Sequence, residues 1–282
     1  VATWFNPRTG ESTRIGEFFK DKRSLSMPFP EIVSVARAAG YQGICLRAAV
    51  AGVESPPERV AEVRALTQGA GLAVSMVTGD IHLAANDEHA TDALRNITPY
   101  LDLAEAVSSR RIRVMIQREA DLPYACRAAD EANERGVLLC HQLHGNTLFE
   151  RVDECVDLVR RINRRNFGLT FEPANLLGVE DDYGVEQIQR LGESIFNVYL
   201  QNFRLDPAGT TVFKTRRGPV SVTLLPLADT KGVSLDRVFA GLEAIRYDGW
   251  VTVHSAGLPD KSADEWAREY HATLAPYIHQ GT

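Results

Sequence analysis

Short apolar runs alternate with amphipathic helical patterns along the whole chain, and this alternation constrains the fold more than any other feature. The predicted strands are Arg14–Phe19, Gly43–Arg47, Ala73–Thr78, Arg111–Ile116, Val137–Gln142, Gly168–Glu172, Phe196–Gln201 and Trp250–His254. Most are near-continuous runs of Val, Ile, Leu and Phe, the pattern of parallel strands covered on both faces. The helices between them carry readable ends. Ser55-Pro56-Pro57-Glu58 and Ser262-Ala263-Asp264-Glu265 read as capping boxes, and Ser234 as a simple cap. Gly40 and Gly136 fall where a helix end needs a left-handed residue.

Eight strand–helix units, with no Pro/Gly/Ser-rich linker and no shift in composition, predict one domain over residues 1–282. The expected architecture is α/β, a single closed (β/α)8 barrel. No GxGxxG follows a strand and no GxxxxGK[ST] occurs, so open nucleotide-binding sheets lack their fingerprint. A chain that is 44% hydrophobic and 24% charged is neither disordered, collagen-like nor a coiled coil.

The formal net charge of −6 argues against a nucleic-acid or anionic-membrane partner, since both need clustered Lys and Arg. No apolar run reaches the ~18 residues of a membrane span. The stretch Val1–Pro7 has no basic head before an apolar core, so no signal peptide is expected. Cys45, Cys126, Cys140 and Cys155 show no CxxC spacing and read as buried small hydrophobes in a reducing compartment. The expected location is cytoplasmic.

In such a barrel, chemistry gathers at the C-terminal ends of the strands. Here those ends carry Arg47, Asp80 and His82, Gln117, Gln142 and His144, Glu172 and Asn175, Tyr199 and Gln201, and His254. Side chains alternate along a strand, so Gln142 and His144 share a face, as do Tyr199 and Gln201. Meeting water at the barrel mouth accounts for single polar residues. It accounts poorly for Gln, Glu, Gln and His closing four consecutive strands. By the same parity His141 points out of the barrel and reads as a helix-packing residue. The segment Asn202–Gly232, with Lys214, Arg216 and Arg217, reads as a long loop of the kind that forms lids or interface arms.

The chain resembles the xylose-isomerase-like TIM barrels, which include sugar and cyclitol isomerases, epimerases, dehydratases and abasic-site endonucleases. The resemblance runs from Gly40-Tyr41-Gln42-Gly43 to the last strand. It is most specific at His144-Gly145-Asn146-Thr147, Phe171-Glu172-Pro173-Ala174-Asn175 and Tyr247-Asp248-Gly249-Trp250-Val251-Thr252-Val253-His254. The family presents a divalent metal with Glu, Asp, His and Glu from strands five to eight. Those positions fall here on Gln142, Glu172, Tyr199 (with Gln201 on the same face) and His254, and the His that often follows the sixth-strand Asp is Asn175.

The resemblance therefore implies a metal (Mn, Mg, Zn or Co) on Gln142, Glu172, Gln201 and His254, held by fewer carboxylates than usual. An amide takes no proton at neutral pH, so Gln142 is not the base the family uses there. His144 is the expected catalytic base. Arg47, His82, Asn175, Tyr199 and Arg204 are the expected substrate-binding residues. The implied activity is isomerisation or epimerisation of a sugar, keto sugar or cyclitol by proton abstraction next to a carbonyl. The alternatives are a lyase on the same fold (a dehydratase, or β-elimination from a 3-keto or C-glycoside) and a non-catalytic sugar-binding barrel. Abasic-site repair lacks its His- and Asp-rich ligands and a basic surface. A homo-oligomer or a second subunit that completes the site is compatible with the sequence.

Overall fold

The computed structural model describes residues 27–255, 258 and 260–278. Seven strands form one parallel sheet in the order β1 (Gly43–Leu46), β2 (Ala73–Val77), β3 (Arg111–Val114), β4 (Leu138–Gln142), β5 (Phe167–Phe171), β6 (Ile195–Leu200) and β10 (Trp250–Val253). Each lies within two residues of its predicted bounds. The first predicted strand, Arg14–Phe19, lies outside the described residues, so the predicted fifth, sixth, seventh and eighth strands are β4, β5, β6 and β10.

Helices α1 (Phe29–Ala39), α2 (Pro57–Gly69), α4 (Thr98–Ala106), α5 (Leu122–Glu134), α6 (Val152–Ile162), α8 (Val185–Leu191), α9 (Leu235–Ala244) and α10 (Ala263–Leu274) run between and after the strands. Two short helices, α3 (Ile81–Ala85) and α7 (Pro173–Gly178), follow β2 and β5 directly. The parallel, nearly closed sheet with these crossovers is the α/β barrel expected from the alternation.

Closure is visible in the packing. A Cβ on Gly43 in β1 would lie 2.9 Å from the ring of Trp250 in β10, so the bare backbone of one end strand accepts the indole of the other. Buried apolar residues form two separate clusters. The large one lies between sheet and helices. The small one, Cys45, Met76, Cys140 and Tyr199, sits on inward positions of β1, β2, β4 and β6 and fills the barrel. Two of the four cysteines thus serve as soft interior fillers, and all four are unpaired.

Local signals hold at most ends. Gly40 closes α1 with φ +94, and Ser262 forms its capping box with Glu265. Ser234 accepts from the Arg237 amide, as expected of a cap. The Ser55 box does not form: Pro56 is the N-cap of α2, and the Ser55 hydroxyl instead accepts from Gly52 N at 2.9 Å. Two consecutive prolines move the helix start past the serine.

The segment expected as a long loop is ordered as a three-stranded antiparallel sheet, β7 (Phe203–Leu205), β9 (Gly218–Leu224) and β8 (Thr211–Thr215). Its phenylalanine plug fixes it over the β4 side of the mouth. Cβ atoms on Gly145 or Gly178 would meet the Phe213 ring at 2.8 and 2.6 Å. Arg216 is tied to Glu150 (2.8 Å) and to Glu154 rather than free to meet a substrate. Arg216→Ala removes one charge-assisted bond from the buried Glu150 carboxylate and one from Glu154. It is expected to cost about 2 kcal/mol, and limited proteolysis should then cut within 203–224 before the barrel itself.

Candidate functional site

The strand ends β4, β5, β6 and β10 bring Gln142, Glu172, Gln201 and His254 together around one carboxylate. Glu172 follows β5 on its inward face and is fully buried. Its Oε2 accepts from the amide nitrogens of Gln142 and of Asn175 (2.8 Å). Its Oε1 accepts from Gln201 Nε2 at 2.6 Å and from His254 Nδ1 at 3.1 Å. A carboxylate offers about four lone-pair sites, so all are taken. Burial alone would push the Glu172 carboxyl up. The His254 charge and the bonds from His254 and Gln142 together outweigh it and hold the group below the ordinary carboxylate range. Glu172 is a buried anion at neutral pH.

An ionised carboxylate only accepts, so His254 Nδ1 carries a proton, and in the neutral ring Nε2 is the lone-pair nitrogen. The ring is also fixed from its face, stacking on Tyr199 with centroids 4.4 Å apart. With 29% of the side chain accessible, His254 meets solvent where Glu172 does not.

His144 differs. Its Nδ1 donates to Gly145 O at 2.8 Å, and its Nε2 accepts from Asn86 Nδ2 at 3.0 Å. Asn86 in turn accepts from Arg113 through Oδ1. Burial, aided by the Arg113 charge, lowers the His144 pKa, so the ring is neutral at pH 7. Both nitrogens of the expected base are thus spent.

The expected substrate residues separate into two groups. Arg47 is 8% exposed at an inward position just past β1. Tyr199 is fully buried a layer below the mouth, its hydroxyl 3.1 Å from Cys45 Sγ, and Asn175 spends its Nδ2 on Leu143 O (2.7 Å) and Glu172. These two position Glu172 and His254 rather than meet a substrate. His82 is 52% exposed on α3 and pairs with Asp87, and Arg204 is 42% exposed on β7 and pairs with Asp206 at 2.6 Å. Neither joins the Glu172 cluster. His141 is buried and stacks on Phe149 outside the barrel, as its parity requires.

Arg113 was not among the sequence candidates. It sits on the inward face of β3, 1% exposed, with its guanidinium on Leu83 O and Asn86 Oδ1. Burial and the neighbouring Arg47 charge lower its pKa to about 10. The available signal was a charge at an inward position within the run Arg111-Ile112-Arg113-Val114.

The donor set decides whether the expected divalent metal fits. The four residues supply one carboxylate, and as arranged N–H donors fill its lone pairs. Turning the Gln142 and Gln201 amides over would offer oxygens, yet the charge count stays unfavourable. Two buried guanidiniums, Arg47 and Arg113, already outweigh Glu172 before a dication is added. No group of three or more His, Cys, Asp or Glu suited to a metal occurs among the described residues. The residues present do not fit the ion.

Comparison with known proteins places this architecture. The family model described as xylose isomerase-like TIM barrel matches residues 33–275. No match was found among curated protein sequences. A probable 3-DHS dehydratase from Bacillus anthracis superposes with TM-score 0.64 at 16% identity, covering 88% of this chain and 94% of that one. A xylose isomerase-like barrel from Mycobacterium smegmatis in complex with magnesium gives 0.66 at 15% identity, covering 88% and 87%. A D-psicose 3-epimerase gives 0.63 at 14% identity, covering 89% and 94%. At these identities the likeness is one of fold. With most of its length inside the family model, the chain belongs to the xylose isomerase-like TIM barrel family.

Proposed function

We propose that the chain is an enzyme that moves a proton at the carbon next to a carbonyl in a sugar, keto sugar or cyclitol. The observation that carries this reading is the Glu172–His254 pair. A buried carboxylate, ionised at neutral pH, holds an accessible imidazole through Nδ1, and its other nitrogen has no partner among the described residues. That arrangement supplies a base and stabilises the imidazolium it becomes.

In this reading His254 Nε2 takes the proton and the carbonyl becomes an enolate. For isomerisation the proton of the α-hydroxyl moves to the enolate oxygen and the abstracted proton goes to the former carbonyl carbon; for epimerisation a proton is delivered to the original carbon on its opposite face. One unspent imidazole favours return on the face it came from, and hence isomerisation. A dehydratase and an epimerase among the fold neighbours support chemistry through such an intermediate. The second reading, a lyase, rests on the same single base: the enolate expels a group from the next carbon and needs no second proton carrier. The divalent metal expected from the family resemblance is left out of both, because the donor set does not suit it.

The test is a ketose and keto-acid panel in D₂O, read by NMR for deuterium at the carbon next to the carbonyl. Exchange with at least one member is expected. Binding to panel members without any exchange would contradict the proposal and favour a sugar-binding barrel.

A further inference from the structure

Among the described residues, the buried side-chain polar atoms without a hydrogen-bond partner are Arg47 Nε and Nη1, Thr78 Oγ1, Arg113 Nε and Asn197 Nδ2. All belong to inward positions of β1, β2, β3 and β6 or the residue that follows them. Natural proteins leave few such atoms, so their collection in one barrel interior needs a cause. Arg47 and Thr78 are also neighbours. Thr78 N donates to Leu46 O at 3.0 Å, which sets the two side chains beside each other at the ends of adjacent strands.

Arg47 makes no ion pair among the described residues, and its two buried nitrogens carry three unspent N–H donors. Glu172 has no lone pair left to offer it. Arg113, one strand further on from Thr78, is likewise buried without an acid partner and spends its bonds on Leu83 O and Asn86. A buried charge without a counter-charge is costly, and removing it is often stabilising. A site built this way is incomplete without an anion.

We infer that Arg47 and Thr78 form the seat for a permanent oxyanion, carboxylate or phosphate, on the substrate, so that the enzyme acts on an acidic or phosphorylated keto compound rather than a neutral sugar. The inference rests on the proton-transfer reading of the same mouth. Arg47 grips the oxyanion through charge-assisted N–H bonds, Thr78 adds its hydroxyl, and Arg113 supplies background positive potential from the layer below. Seating the anion would hold the carbonyl end towards His254.

The test is thermal unfolding of the full chain at constant chloride with D-glucose, D-gluconate or D-glucose 6-phosphate as probes. At least one anionic probe is expected to raise Tm by about 3 °C or more over D-glucose, and which of the two does so names the oxyanion. Arg47→Met should unfold at a higher temperature than the parent without ligand and lose the anion shift. Thr78→Val should reduce the shift. An Arg47→Met protein that keeps the shift, or no shift beyond D-glucose in the parent, would overturn the seat. His254→Gln should keep the anion shift. A parent that shows the shift but no deuterium exchange would sink the proton-transfer reading and leave the seat standing.

Discussion

Glu172→Ala is expected to destabilise the protein by about 3–5 kcal/mol, a large share of the ~5–15 kcal/mol that holds a typical domain folded. The loss has two parts. Four N–H donors, from Gln142, Asn175, Gln201 and His254, lose their acceptor, and those of Gln142 and Asn175 are buried away from water. The buried Arg113 also loses the nearby negative charge that favours its protonated form. Urea unfolding at pH 7 measures the sum, and a change below about 1 kcal/mol would contradict a central role for the carboxylate.

The pH dependence follows from the same group. Its folded pKa lies below the unfolded value, so its stabilisation is complete above the unfolded carboxyl pKa of ~4.3 and is lost as pH falls through the folded pKa. Glu172→Ala should therefore flatten the acid limb of the stability curve.

His254→Ala is expected to slow deuterium exchange by about 10²–10⁴-fold, the range that a positioned general base contributes. His144→Ala should slow it by less than about tenfold, because both ring nitrogens of His144 are spent on Gly145 and Asn86. The ordering of the two variants is the sharper result. A larger loss for His144 would return the base role to the residue that the sequence alone suggests. Loss in His254→Ala is expected in kcat with a small change in KM, since the imidazole acts on the reacting proton rather than on binding.

Much of the fold is legible from hydrophobic pattern. Seven of the predicted strands stand where Val, Ile, Leu and Phe runs place them, because burial on both faces leaves a strong one-dimensional signal. The arm is the main miss. Its strands Phe203–Leu205, Thr211–Thr215 and Gly218–Leu224 are short, half-exposed and interrupted by Thr, Ser, Gly and Pro, and they gain order from each other and from Phe213 wedged against Gly145 and Gly178.

In the site, strand parity is enough to bring Gln142, Glu172, Gln201 and His254 together. Parity says nothing about which atom faces which. The N–H groups around Glu172 and the two spent nitrogens of His144 depend on three-dimensional neighbours such as Asn86, which lies 58 residues from His144 in sequence. His82 and Arg204 sit near strand ends but on elements that turn outward, where Asp87 and Asp206 pair with them. Arg113 shows the converse: a charge inside an apolar run is easily read as an outward residue until the sheet curls around it.

The central claim is that His254, oriented by Glu172 and without a divalent ion, carries the proton. Deuterium exchange on a responsive keto compound, measured with and without EDTA for the parent and His254→Gln, tests it most directly. The account predicts exchange unchanged by EDTA in the parent and lost in His254→Gln. Exchange that EDTA abolishes, that Mn²⁺ restores and that survives in His254→Gln would contradict it.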